Sequence, residues 1–264
     1  MVKKDATATS NISYKNKQFY NRSYFSFGIM HSLVAAYSSY DQQSKAKRNW
    51  KILKSYLFKK TCFPNPLYIL DYGFGRGSFL IKVPKTWQVY GCELSERAIK
   101  NLRKTFKFLK KNVHLFCPDE MKDELKDIKF DIISCSHVLE HLDDDTAMIQ
   151  RFAEHLKNNA VLLLNVPINE IWKDPNHIHG YTQEALCKNL IQNGFAINSS
   201  LEADRWTAFI LYNEKHAHSF IKKLLFRFLR LNLALLPISV LDSFEWILPA
   251  QYCYQQLIIT AIKF

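Results

Sequence analysis

The first residues that could do chemistry lie in Leu67-Tyr-Ile-Leu-Asp71-Tyr-Gly73-Phe-Gly75-Arg-Gly77-Ser, where an acid is followed by three glycines at alternate positions. Glycines in that spacing permit a tight turn and close backbone approach to a ligand. A dinucleotide fingerprint wants G-x-G-x-x-G, with pyrophosphate on a helix N-terminus. Here the pattern is G-x-G-x-G with a carboxylate just before it, which favours a cationic ligand over a diphosphate. Asp71 can hold a ligand ammonium, and Gly73 and Gly75 leave room for an amino-acid moiety. Twenty-two residues past Asp71, Val89-Tyr-Gly-Cys-Glu93-Leu94-Ser supplies a second carboxylate, able to accept hydrogen bonds from both hydroxyls of a ribose.

These residues need strands behind them. Leu67–Asp71 reads as a buried strand, followed by strands near Gln88–Glu93, Val113–Cys117, Phe130–Ser136 and Ala160–Val166. Helices are expected from Asp41 to about Phe58 and near Ser95–Lys111, Asp144–Lys157 and Thr182–Asn193. Apolar runs without alternation imply strands covered on both faces, and the intervening helices make them parallel. After Gly194, Phe195–Leu201 and Tyr252–Ile262 read as two further strands. The roughly fifty residues between them are too many for a plain connection and must carry their own structure.

Composition limits the classes. The chain has 264 residues, 48% apolar and 14% aromatic, enough for one domain with a real core and too ordered in composition for wholesale disorder. Its net charge of +12 is concentrated: residues 1–60 hold twelve Lys and Arg against Asp5 and Asp41. A basic region of that kind suits nucleic acid, an anionic lipid surface or a phosphorylated substrate, or is simply a solvated surface. The six cysteines show no C-x-x-C pairing or metal-type spacing, so they read as reduced thiols and no metal is expected. No signal-peptide run and no apolar stretch of about 18 residues occurs, which points to the cytoplasm, with the inner membrane surface as the other location.

The Asp71 to Glu93 constellation resembles the class I S-adenosylmethionine-dependent methyltransferases, whose first strand carries D-x-G-x-G-x-G and whose second ends in an acid. Phe130-Asp-Ile-Ile-Ser-Cys-Ser136-His137-Val-Leu-Glu140-His141-Leu-Asp is similar to the fourth-strand motif of the ubiquinone-type enzymes. Trp172-Lys-Asp174-Pro175-Asn-His177-Ile-His179-Gly-Tyr181-Thr182 looks like the segment after the fifth strand in O-antigen and glycan-type methyltransferases. The resemblance runs from about Leu67 to Phe195. It implies a doubly wound, seven-stranded, mostly parallel α/β sheet of Rossmann-like methyltransferase type, spanning 61–264 behind a basic region at 1–60, with a helical insertion at about 205–250 before the last strand. It further implies S-adenosylmethionine as cofactor, contacted by Asp71, Gly73, Gly75, Gly77, Glu93, Leu94 and Ser136. Asp119, with Glu120 as competitor, falls where the family meets adenine. Phe74, Arg76, His179 and Gly180 depart from the usual pattern.

Methyl transfer from a sulfonium needs the acceptor aligned and, for a hydroxyl, its proton removed. Histidine is the natural base, and His177 is the first choice, ahead of His137 and His141. The leading expectation is an O-methyltransferase for a glycan, lipid-linked sugar or other small metabolite. The alternatives are an RNA methyltransferase, for which the fourth strand lacks the Asn/Asp-Pro-Pro-aromatic element, and a non-catalytic cofactor-binding subunit. Tyr20 and Tyr24 could close over the cofactor or belong to the core. In Ser219–Leu236, Lys222, Lys223, Arg227 and Arg230 fall on one helical side and Ile221, Leu224, Leu225, Phe228, Leu231 and Leu235 on the other. That helix suits a membrane surface, a lid or a dimer interface.

Overall fold

The computed structural model describes residues 40–59, 66–170, 174–247 and 255–264. Tyr20, Tyr24 and most of the basic N-terminal region, together with Cys62, Trp172, Lys173 and Cys253, lie outside them. The chain runs α1 (Tyr40–Lys59), β1 (Tyr68–Tyr72), α2 (Ser78–Lys82), β2 (Gln88–Cys92), α3 (Glu96–Phe108), β3 (Val113–Phe116), α4 (Met121–Glu124), β4 (Phe130–Ser136), α5 (Asp145–His155) and β5 (Leu156–Ile168). It continues with α6 (Gln183–Gln192), β6 (Phe195–Ala203), α7 (Arg205–His216), α8 (Phe220–Leu235), α9 (Ile238–Phe244) and β7 (Gln255–Lys263).

The sheet has seven strands in the order β3-β2-β1-β4-β5-β7-β6, with β7 antiparallel to both its neighbours and the remaining pairs parallel. This is the expected doubly wound, mostly parallel sheet. Chain order reverses between β1 and β4, so the ends of those two strands flank the crevice in which such folds bind ligands. The expected helix starts at Ser95, Asp144 and Thr182 are N-caps whose side chains accept from the backbone N–H of Ala98, Ala147 and Ala185.

One apolar cluster on each face sandwiches the sheet. Phe116, Phe130 and Phe152 anchor one; Ile69, Leu80, Leu102 and Ile132 anchor the other, which Ala46 and Leu53 of α1 also join. Two boundaries differ from expectation. Helix α5 stops at His155, and β5 begins at Leu156, because fully buried Leu156 pairs with Phe130 before a register shift brings Val161 opposite Ile132. Asn159 takes φ +60° within that irregularity.

The insertion folds into α7, α8 and α9. Its inner face is not the stripe that helical periodicity suggests: Phe226 and Leu233, off the pattern, pack against Ile210, Ile238 and Leu241. Arg227 and Arg230 turn to Glu214, at 2.9 and 3.2 Å. The apolar side, with Phe220, Ile221 and Leu235 each more than 75% exposed, faces outward. Among the described residues no helix is long and apolar enough to cross a membrane. The insertion is tied to α1 by Arg48, itself buried, whose guanidinium meets Asp204 at 3.2 Å, Glu245 at 3.7 Å and also Asp242.

Candidate functional site

The β1–α2 loop owes its shape to its glycines. Gly73, Gly75 and Gly77 have φ of +78°, +55° and +75°, the left-handed region that a side chain disfavours. A Cβ on Gly73 would lie 2.1 Å from Val138 Cγ2, and one on Gly77 would lie 2.5 Å from Leu102 Cδ1. Gly73 thus lets the β4 end close in, and Gly77 seats the loop on α3. Glu93 organises the other side: its Oε2 accepts from Gly75 N at 2.9 Å and its Oε1 from Ser95 N at 3.1 Å.

Asp71 is buried at the end of β1. Burial pushes its carboxyl up to about 7 against the Ser134 hydroxyl, which lowers it, while the nearby Glu93 charge raises it further. Glu93 is likewise raised by burial, with the backbone N–H groups of Ser95, Gly75 and Leu94 opposing. Two buried acids side by side suit a ligand that brings an ammonium and hydroxyl donors.

Beside them opens a cavity of 520 Å³, well within the ~300–1,000 Å³ of small-molecule sites. Asp71, Gly73, Gly75, Glu93, Leu94 and Ser136 all border it. Gly77 and Asp119 do not line it, and from the loop after β3 it is Pro118 that does. Glu120 is engaged in its own turn, its Oε2 accepting from Cys117 N at 2.8 Å. Sequence reasoning missed Lys45 and Asn49 of α1 and Met148 and Arg151 of α5, which complete the lining. The signal for α1 was a polar stripe: Lys45, Arg48 and Asn49 share one side of a helix that gives Ala46 and Leu53 to the core, and Asn49 Oδ1 accepts from Asn165 Nδ2 at 3.0 Å.

The histidines gather where β4 and β5 end. His137 adopts φ +55°, and its N–H donates to Asn165 O at 2.9 Å. A non-glycine residue held there stores strain, of order 1–3 kcal/mol. It brings His137 Nδ1 to 3.2 Å from Glu140 Oε1. Burial pushes Glu140 up, but the hydrogen bond and charge of His137 and the charge of His141 outweigh it and hold the carboxyl below its ordinary range. The segment after β5 is strapped to this turn, Ile178 N donating to Glu140 O at 2.7 Å. Asp174 shapes that segment, accepting from Asn176 N at 2.9 Å and Nδ2 at 2.8 Å. His141 Nδ1 meets Asn176 O at 3.0 Å, His177 Nδ1 meets Glu170 Oε1, and the two rings pack edge to face with centroids 4.8 Å apart.

A second cavity, of 200 Å³, adjoins the first. His137 and His141 border both, whereas His177 borders only the smaller one. Cysteine spacing gave no reason to expect metal ligands, yet the fold brings one donor atom each of Glu140, His141 and His177 within 4.8 Å of one another.

A family model described as a methyltransferase domain matches residues 42–223, more than half of the chain. The chain belongs to this methyltransferase family. The match takes in α1, the glycine loop, the histidine turn and the first part of the insertion. A search of curated protein sequences finds no match. Among solved structures, magnesium protoporphyrin IX methyltransferase from Synechocystis PCC 6803, with bound SAH, is 15% identical with a TM-score of 0.55, covering 97% of this chain and 98% of its own. The [4+2]-cyclase SpnF is 19% identical with a TM-score of 0.55, over 80% and 79%. The phosphoethanolamine N-methyltransferase 2 of Haemonchus contortus, solved with SAH, is 17% identical with a TM-score of 0.55, over 82% and 52%. At these identities the likeness is one of fold. The class I S-adenosylmethionine-dependent methyltransferase expected from Asp71, the glycines and Glu93 is therefore the correct family, and S-adenosylmethionine is its cofactor. The lining of the larger cavity fits that molecule chemically: two buried carboxylates, Asp71 and Glu93, suit an ammonium and hydroxyl donors, and the glycine turn between them leaves room for a ligand.

Proposed function

We propose that the methyltransferase methylates a hydroxyl oxygen of a glycan, a lipid-linked sugar or another small metabolite. The observation that carries this reading is the His137–Glu140 pair, in which His137 borders both cavities and Glu140 backs it from the smaller one. An imidazole braced by a buried carboxylate is suited to take a hydroxyl proton as the oxygen attacks the sulfonium methyl. His177, first choice as base from sequence, borders the smaller cavity and supports the acceptor side instead. Asp71, Gly73, Gly75, Glu93, Leu94 and Ser136 hold the cofactor in this reading.

The outward apolar side of α8 supports an amphiphilic acceptor reached at an anionic lipid surface. Exposed Lys222 and Lys223 flank that side and supply the complementary charge. Methyl-labelled S-adenosylmethionine, incubated with the protein and with lipid, glycan, RNA and small-molecule fractions, tests the reading. Base-stable, ether-linked label in the lipid or glycan fraction is expected; label confined to RNA or to amine products overturns it.

A further inference from the structure

We propose that Glu140, His141 and His177 hold a divalent first-row transition-metal ion of the zinc class beside the cofactor cavity; this rests on the hydroxyl-methylating reading above and gives its acceptor subsite a Lewis acid. Two imidazoles and one carboxylate form the three-ligand set of catalytic zinc sites, which leave a position open for substrate oxygen. The donor atoms come from two loops that are held in place, not from mobile side chains meeting by chance, because the Glu140 carbonyl accepts the Ile178 N–H at 2.7 Å.

Two further observations point to a cation. Glu140 is 0% exposed, and its Oε2 has no hydrogen-bond partner. A buried carboxylate oxygen without a donor is costly, and a cation bound at the triad would satisfy it. The outer partners also match: His141 Nδ1 faces the Asn176 carbonyl and His177 Nδ1 faces the Glu170 carboxylate. When each Nδ1–H is donated in this way, the lone pair sits on Nε2, the arrangement by which metal-binding histidines are oriented.

The ion would act as a Lewis acid and change neither its charge nor its oxidation state. The acceptor hydroxyl coordinates the ion and loses its proton to His137, the oxygen forms a bond to the methyl carbon, and the carbon–sulfur bond breaks to leave neutral S-adenosylhomocysteine.

The test is metal content and spectroscopy of the full chain. After chelation and dialysis, zinc titration should show one equivalent per chain, and cobalt(II) in its place should give the visible absorption of a low-coordinate histidine site. His177→Ala should weaken zinc at least tenfold, and Glu170→Gln, which keeps the fold and removes only the outer charge, should weaken it by about tenfold. Binding of S-adenosylhomocysteine checks that each variant is folded. No zinc uptake by the wild-type chain, or uptake unchanged in a folded His141→Ala/His177→Ala variant, overturns the ion. Hydroxyl methylation by metal-free protein overturns its catalytic role while leaving the proposed function intact; zinc bound at these residues in a protein that methylates only amines does the reverse.

Discussion

His137, held left-handed at the end of β4, meets Glu140 three residues on, and its ring borders both cavities while Glu140 borders the smaller. The strain is thus spent on aiming one ring. Glu140→Gln keeps the shape and removes the charge. Turnover should fall by about 100-fold, the lower range for general acid–base assistance, with cofactor affinity near wild type. Single-turnover transfer beside calorimetry of S-adenosylhomocysteine separates the two effects, and equal loss in both would assign Glu140 to folding alone.

Cofactor affinity should depend on pH through Asp71. Its carboxyl, pushed up to about 7 in the free protein, must ionise to meet the ligand ammonium, so binding releases a proton below that pH. Affinity should rise about tenfold per unit from pH 5.5 toward 7 and then level. The same shift bears on stability: the folded value lies above the unfolded one, so this group favours the fold fully below about pH 4, and that contribution is lost as pH rises through 7. Calorimetry in buffers of different ionisation heat measures the proton, and Asp71→Asn should flatten the curve.

Glu93→Ala should weaken S-adenosylmethionine by about 1.5–3 kcal/mol, the range for hydrogen bonds to a charged group. It also strands the N–H groups of Gly75 and Ser95, so the loop should exchange its amide hydrogens faster. Unchanged affinity in Glu93→Ala would remove the ribose assignment.

Liposome co-sedimentation checks α8. Wild type should bind anionic vesicles in a salt-sensitive way, and Lys222→Glu/Lys223→Glu should lose most of that binding, since each basic residue near such a surface contributes about 1 kcal/mol. Arg227 and Arg230 are engaged by Glu214 and should matter less. If Leu224→Asp/Phe228→Asp left partitioning untouched, the lipid surface would be the wrong partner; loss of a dimer in that variant would make the same side a subunit interface.

Arg48→Ala should cost about 3–5 kcal/mol of stability, because it leaves buried Asp204 beside Glu245 without its cation, while Asp242 keeps Lys51 at 3.0 Å. Thermal unfolding measures this, and a change below 1 kcal/mol would show that the carboxylates relax into solvent.

The parallel sheet and the cofactor end were legible because local rules govern them: a strand, a carboxylate and glycines that need positive φ sit within a dozen residues. Caps at Ser95, Asp144 and Thr182 were legible for the same reason. The acceptor end was not, since His141 and His177 meet only after two loops 36 residues apart are strapped together, and the partner of His177 proved to be Glu170. Helical periodicity found the two sides of α8 but not which one faces inward: Glu214, a buried acid on α7, draws Arg227 and Arg230 toward it, a choice written outside the helix.

The insertion begins and ends at paired positions, Ala203 opposite Gln256 across β6 and β7. A segment whose two stems lie side by side can be exchanged among relatives without rewiring the sheet. Arg48 restricts that freedom, because the three carboxylates it serves travel with the insertion while the arginine stays behind on α1. Transplanting 204–254 alone would carry the lock without its key. A transplant that keeps this lock must therefore be discontinuous, α1 plus insertion, and α1 brings with it Lys45 and Asn49 of the larger cavity.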